Sequence, residues 1–170
     1  MKKHALIFDC DGTLVDSLGA AMESFNYSLD LIGEKPRSEA EIKRFFGSSA
    51  DRIFFGLLQD EKKALAAFEK YISHQAELSL SMNLHDGIRQ LIENSAAAKI
   101  PMGIVTGRHE RDMHVILSPH KISDYFQTMV ADNHLKTSKP SPEGLLLAAK
   151  NLGVDTQNVC YVGDSVMDIQ

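Results

Sequence analysis

Ala5-Leu6-Ile7-Phe8-Asp9-Cys10-Asp11-Gly12-Thr13-Leu14-Val15-Asp16-Ser17 is the stretch that decides the fold. Its first four residues form an unbroken apolar run, the pattern of a short strand buried on both faces rather than one. Strands of that kind belong to parallel sheets. The run stops at Asp9, so Asp9, Asp11 and Thr13 fall at the carboxyl end of the strand, where open parallel sheets place their ligands.

Working outward, three further runs of the same character follow: Met102-Gly103-Ile104-Val105, Thr128-Met129-Val130-Ala131 and Asn158-Val159-Cys160-Tyr161-Val162. Helical spacing lies between them. Residues 87–98 carry Ile88, Leu91, Ile92 and Ser95 on one face, and residues 109–117 carry Met113, Ile116 and Leu117. Residues 142–152 open with Pro142 in a first-turn position and close before Gly153, the expected asymmetry of helix ends. Strands alternating with helices require right-handed crossovers, which cover both faces of the sheet.

Residues 17–83 break this rhythm with helical patterns only. Leu18, Ala21, Met22, Phe25, Leu29 and Ile32 share a face that stops at Gly33. A capping-box pattern, Ser38-x-x-Glu41, then leads into Ile42, Phe45 and Phe46, and a long helical stretch spans residues 60–80. The reading is an α/β fold: a Rossmann-like parallel sheet core from residues 1–16 and 84–170, with helices on both faces, and an inserted all-helical cap at residues 17–83.

Composition narrows the function classes. With 44% hydrophobic and 24% charged residues the chain reads as an ordinary globular protein rather than a disordered one. A net charge of −5, with no basic arm or stripe, argues against a nucleic-acid partner. The apolar residues ahead of Asp9 are too few for a secretion signal, and no stretch approaches a membrane span. Two cysteines, Cys10 and Cys160, sit in apolar runs and read as buried, reduced thiols, so a cytoplasmic protein without a membrane partner is expected. Oligomeric state is not legible.

Four strand ends carry the chemistry-bearing residues. Asp9 and Asp11 follow the first run, Thr106 follows the second in Thr106-Gly107-Arg108, Lys139 in Lys139-Pro140-Ser141-Pro142 comes after the third, and Gly163-Asp164-Ser165-Val166-Met167-Asp168 ends the fourth. Ordinary structural readings exist for each taken alone. Asp9-x-Asp11-Gly12 could be a turn or part of a calcium loop, although an EF-hand loop wants a third ligand and flanking helices where a strand stands. Thr106 or Asp164 could cap a helix, and Lys139 could be a solvated loop residue. His109, His114, His120 and His134 crowd together without metal-ligand spacing to any cysteine and read as ordinary surface residues.

Taken together and in this order, the four segments resemble the four motifs of the haloacid dehalogenase superfamily. Asp9 through Ser17 resembles its first motif almost throughout, and the helical insertion is similar to the small cap of the phosphoglycolate phosphatase-like branch. The resemblance implies a Mg²⁺-dependent phosphatase acting on a small phosphorylated metabolite. In that scheme Asp9 is the nucleophile, forming an aspartyl phosphate, and Asp11 is the general acid and base. Mg²⁺ is bound by Asp9, the backbone carbonyl of Asp11 and Asp164. Asp168 orients Lys139 or a metal-bound water. Thr106 and Lys139 bind phosphoryl oxygens. Gly107-Arg108 departs from the branch, where Asn or Ser commonly follows the motif Thr, and Arg108, with Gly107 beside it, is expected to touch a phosphate or a second anionic group on the substrate. The dehalogenases of the superfamily generally lack the carboxylate that stands here as Asp11, which points to phosphate chemistry.

Two alternatives stay open. Sugar phosphomutases share the core and typically carry an arginine three residues after a cap glycine; the corresponding Gly47-Ser48-Ser49-Ala50-Asp51-Arg52 has Ala50 at that place and Arg52 nearby. Arg44 and Arg52 could face substrate or merely solvent. Relatives also continue past the fourth motif with a helix, a strand and a final helix, so the sheet is expected to lack its last strand. A non-catalytic remnant serving as a binding module is the alternative of another class.

Overall fold

A computed structural model describes residues 4–169. Strands β1 (Ala5–Phe8), β2 (Met102–Val105), β3 (Thr128–Val130) and β4 (Val159–Val162) pair in parallel throughout, in the order β3-β2-β1-β4. All four stand where the apolar runs place them, within a residue at either end. Alternation of side chains along β1 explains why its run is continuous. Ala5 and Ile7 pack with Val105, Val130, Ala148 and Leu152 on one face, while Phe8 packs with Ile92, Ile104, Met113 and Ile116 on the other. Helix α7 (Glu143–Leu152) covers the first face; α5 (Ile88–Ala97) and α6 (Glu110–Leu117) cover the second.

The strand order places the site. From β1 the chain steps outward through β2 to β3, then returns so that β4 lies on the other side of β1. Connections that leave a strand in opposite directions open a crevice at its carboxyl end, and this one opens between β1 and β4. The N–H of Asp9 donates to the carbonyl of Val162 at 2.8 Å, so Asp9 sits at the mouth of that crevice.

Between β1 and α5 the chain is helical: α1 (Leu18–Leu31), α2 (Glu39–Lys43), α3 (Ala50–Leu58) and α4 (Glu61–Ser79). They enclose a second core around Phe25, Leu29, Ile42, Ile53, Phe54 and Phe68, with the Phe25 ring 5.1 Å from Phe54 and 4.9 Å from Tyr71. The Ser38 capping box is present: its hydroxyl accepts from the Glu41 N–H at 3.3 Å and the Glu41 carboxylate accepts from the Ser38 N–H at 2.9 Å. Helix α3 is the element that sequence spacing does not separate from its neighbours.

Two expectations shift. Pro142 occupies the N-cap of α7 rather than its first turn, with Gly153 closing the helix in the left-handed region. Cys10 is buried as expected, but Cys160 is exposed, because β4 borders the sheet and nothing among the described residues packs over that flank. Among the described residues, no helix is long and apolar enough to cross a membrane.

Candidate active site

The crevice gathers Asp9, Lys139, Asp164 and Asp168. Oδ1 of Asp9 accepts from the Cys10 N–H at 2.7 Å and lies 3.0 Å from Lys139 Nζ. That ammonium also donates to Asp168 Oδ1 at 2.8 Å and to the Tyr161 hydroxyl at 2.7 Å. Tyr161 in turn donates to Asp168 Oδ1 at 2.8 Å, and Asp168 Oδ2 accepts from the Ser165 N–H and hydroxyl at 3.0 and 2.8 Å. Oδ1 of Asp164 accepts from the Thr13 hydroxyl at 3.0 Å. Its carboxylate presses against the backbone of Gly12, where a Cβ would lie 2.3 Å from Asp164 Oδ2; with φ at +69° as well, only glycine fits that position.

Three carboxylates and one lysine leave the cluster with excess negative charge. Burial pushes the Asp9 carboxyl up to about 7, against the pull of Lys139, and the carboxylates of Asp11 and Asp168 push the same way. For Asp168 burial also pushes upward, but the bonds from Lys139, Ser165 and Tyr161 outweigh it and hold the group below the usual carboxylate range.

Asp11, two residues on, has a different surrounding. Arg108 Nε donates to both of its oxygens at 2.9 Å, Nη2 donates to Oδ1 at 2.6 Å, and the Ser17 hydroxyl makes a further short bond to Oδ1. Ser17 precedes α1 but does not cap it; its hydroxyl is given to Asp11 instead. Arg108 Nη1 donates to Asp112 Oδ2 at 2.5 Å and to Gln75 Oε1 at 3.0 Å. Burial alone would raise Asp11, yet the charge and hydrogen bonds of Arg108 overcome it and lower the carboxyl below its usual value. Asp112 is pushed up to about 6 by burial in spite of Arg108.

A cavity of about 310 Å³ lies between the strand ends and the helices α1–α4. Asp9, Asp11, Gly107, Lys139 and Asp164 form its floor; Leu18, Phe25, Phe46, Ile53 and Tyr71 form an apolar wall, with Lys43 and Ser48 at its edge. The residues near Gly47 are seated on the strand-end loops. The Ser49 N–H donates to Asp132 Oδ2 at 3.0 Å, and Arg52 donates to the Ser138 hydroxyl at 2.8 Å and the Leu135 carbonyl at 2.9 Å, with Asp132 3.3 Å away. Gly47 has φ +97°, and a Cβ there would lie 2.9 Å from the Lys139 carbonyl.

The residues singled out from sequence therefore divide. Asp9, Lys139, Asp164 and Asp168 meet in one cluster. The Asp11 side chain borders the same cavity but joins a separate hydrogen-bond network with Arg108. Thr106 is buried beneath the floor, where its hydroxyl accepts from the Arg108 N–H at 3.1 Å. Gly107 borders the cavity. Arg108 does not present an open face to a phosphate: its guanidinium is only 5% exposed and its donors are taken by Asp11, Asp112 and Gln75. Arg52 is partly exposed and engaged by the loop beyond β3, whereas Arg44 is exposed.

The donor set fits a hard divalent cation. Carboxylate oxygens of Asp9, Asp164 and Asp168 lie within 4.8 Å of one another, and oxygen donors with incomplete neutralisation suit magnesium. Among the described residues, Oδ2 of Asp9 and Oδ2 of Asp164 have no protein hydrogen bond, while both Asp168 oxygens are engaged.

Sequence reasoning missed Tyr161, Gln75 and Asp112. Tyr161 hides in the apolar run of β4, where its ring reads as core, and its hydroxyl within a bulky apolar stretch is the one available hint. Asp112 follows Arg108 by four residues, a spacing that could have suggested a pair. Gln75 carries no local signal.

The sequence profile of the family described as haloacid dehalogenase-like hydrolase matches residues 6–170. The chain is 27% identical over 174 residues to the N-acetylmuramic acid 6-phosphate phosphatase of Pseudomonas aeruginosa, covering 100% of this chain and 77% of that one. It is 30% identical over 176 residues to the phosphoglycolate phosphatase of Rhodospirillum rubrum, covering 97% of this chain and 73% of the relative. The solved structure of CbbY from Rhodobacter sphaeroides in complex with phosphate superposes with a TM-score of 0.85 at 20% identity, over 96% of this chain and 79% of that one. That likeness concerns the fold alone. With the family profile spanning nearly the whole length, the chain belongs to the haloacid dehalogenase-like hydrolases, and its relatives within them are phosphoric monoester hydrolases.

Proposed function

We propose that the chain is a Mg²⁺-dependent phosphatase that hydrolyses a small phosphate monoester through an aspartyl phosphate on Asp9. The observation that carries this reading is the cluster at the end of β1: a buried carboxylate 3.0 Å from a lysine, two further carboxylates beside it, and a cavity above. Phosphoryl transfer asks for in-line positioning of a nucleophile and neutralisation of the phosphoryl oxygens, and little else. Residues 1–16 and 84–170 supply the catalytic floor in this reading, and residues 17–83 are the cap that shapes the leaving-group pocket.

Asp9 and Asp164, with the backbone carbonyl of Asp11, would hold Mg²⁺, which when bound supplies positive charge for the phosphoryl oxygens. An oxygen of Asp9 attacks phosphorus and forms the new P–O bond as the bond to the alcohol oxygen breaks. Asp11, ionised in the resting site by the hold of Arg108, takes up a proton as bound substrate loosens that hold and gives it to that oxygen, then takes one from the water whose oxygen attacks the aspartyl phosphate, releasing inorganic phosphate and restoring Asp9. Lys139, held by Asp168 and Tyr161, presents its charge to the transferring group. Gly107 borders the phosphoryl site, and Thr106, buried beneath the floor, holds the Arg108 N–H there. The substrate is a small phosphorylated metabolite in the cytoplasm, consistent with two free thiols and with the absence of a basic stripe in the sequence.

The test is phosphate release from a panel of small esters with and without Mg²⁺, using the chain and its Asp9→Asn variant. Metal-dependent turnover that vanishes in the variant is expected. A folded chain that binds Mg²⁺ yet releases no phosphate from any ester, or an Asp9→Asn variant that still turns over, would overturn the proposal.

A further inference from the structure

Above its polar floor the cavity changes character. Leu18, at the start of α1, is 42% exposed, and Phe46, in the loop after α2, and Met167, in the turn after β4, are half-buried; all three line the cavity. Single apolar side chains scattered over a surface need no account, but three from separate elements around one cavity form a lining that favours an apolar occupant. Side-chain hydrogen-bond partners are scarce there. Ser165 already donates to Asp168 and accepts from the Met167 N–H, and the Tyr71 hydroxyl is bonded to Asp112. Among the described residues above the floor, that leaves Lys43, which also pairs with Glu39, and Ser48, both at the edge. A polyhydroxylated leaving group would bury hydroxyls against Leu18, Phe46 and Met167 without partners, at a cost for each one. The cavity, at about 310 Å³, reaches the range of roughly 300–1,000 Å³ in which pockets enclose whole small molecules, so it holds more than a phosphoryl group.

We propose that the substrate is the phosphate ester of an apolar alcohol, alkyl or aryl rather than polyhydroxylated, whose body is seated between Leu18, Phe46 and Met167 as the specificity-determining residues. The proposal rests on the reading of the cluster at Asp9 as a phosphoryl-transfer site and names the class of ester that site takes. The phosphoryl end lies on the floor by Asp9 and Lys139, and the alcohol half extends along the apolar wall toward Lys43 and Ser48.

The test separates binding from turnover. With Mg²⁺ present, the chain is assayed on alkyl phosphates from ethyl to hexyl and on a matched pair, n-propyl phosphate and glycerol phosphate. Glycerol gives the slightly better leaving group, so chemistry alone favours the opposite order to the one expected. Affinity for the corresponding alkylphosphonates, whose P–C bond is not hydrolysed, is measured by calorimetry. Both kcat/KM and phosphonate affinity should rise about fourfold per methylene until the cavity is filled. The propyl ester should exceed the glycerol ester by about tenfold or more. Leu18→Ser and Phe46→Ala flatten the series and narrow that ratio; Leu18 is no core residue, so its variant carries the comparison if Phe46→Ala fails to fold. Turnover with a flat series, or glycerol phosphate taken as well as its propyl counterpart, would overturn the apolar subsite and leave the phosphatase reading intact. No turnover on any ester, with phosphonate affinity still climbing along the series and falling in Leu18→Ser, would uphold the subsite and sink the phosphatase reading. No turnover and no dependence on chain length would overturn both.

Discussion

Asp9 and Asp11 are two residues apart on one loop, and the structure treats them oppositely. Around Asp9, three carboxylates share one lysine, and burial lifts the Asp9 carboxyl to about 7. Around Asp11, a forked guanidinium and a hydroxyl overcome burial and lower the carboxyl. The first region is short of positive charge and suited to receive a cation; in the second Arg108 neutralises Asp11 directly, although Asp112 shares the same guanidinium. Two carboxylates of one type thus acquire opposite shifts from their surroundings. The lesson is that charge balance separates the two aspartates where residue type and spacing do not.

The comparison breaks most sharply at the nucleophile. Asp9→Asn should lower turnover by about four orders of magnitude or more, because a group acting at the reacting atom is not replaced by its neighbours. Residual activity within tenfold of the parent would remove Asp9 from the chemistry. Next comes the lone cation. Lys139→Met leaves Asp9 and Asp168 without their shared partner, and removing one member of a buried pair costs about 3–5 kcal/mol. Urea unfolding should show a loss of that order unless Mg²⁺ is added, when part of it returns. A loss that Mg²⁺ does not lessen would mean that the cation and the lysine serve different charges.

A pH series without divalent ions sharpens the contrast further. The folded Asp9 carboxyl binds its proton more tightly than the unfolded one, so stability should fall as pH rises from about 4 to about 7, by at most about 4 kcal/mol. Asp11 acts in the other direction: its folded pKa is lowered, so its contribution is present above the unfolded value and is lost as pH falls through the folded one. Thermal melting should show the neutral-side decline, and both saturating Mg²⁺ and Asp9→Asn should flatten it. A decline of the same size in Asp9→Asn would assign it to another group, Asp112 first, whose carboxyl burial lifts to about 6. The smallest effect is expected at Tyr161→Phe. Losing one hydroxyl that bridges Lys139 and Asp168 should cost about 1 kcal/mol of stability and a few-fold in kcat, since both partners keep other contacts.

The Asp9 region was largely legible. Asp9, Lys139, Asp164 and Asp168 each end or follow an apolar run, and a parallel sheet brings the ends of its strands to one edge whatever the loops between them do. Tyr161 escaped because its ring is indistinguishable from the core residues around it. The Asp11 region was legible only in Asp11 itself. Arg108 read as a ligand for a phosphate or a second anionic group because it stands where the branch commonly has Asn or Ser after the motif Thr; its three protein partners are visible only in the fold. Arg52, expected to meet substrate or solvent, is partly exposed and also seats the residues near Gly47 on the loop after β3.

By itself the sequence determined the parallel sheet, the helices on its faces, the helical insertion and the line of strand-end residues, because all of these follow from hydrophobic period, turn chemistry and chain direction, which are local. Tertiary structure alone decided the strand order, the crevice between β1 and β4, the exposure of Cys160 and the two charge balances around Asp9 and Asp11. Those depend on which distant groups come within a few ångströms: Arg108 is 97 positions from Asp11 and Gln75 is 33 from Arg108. Coulombic and hydrogen-bond energies respond to that separation in space, and no pattern along the chain encodes it.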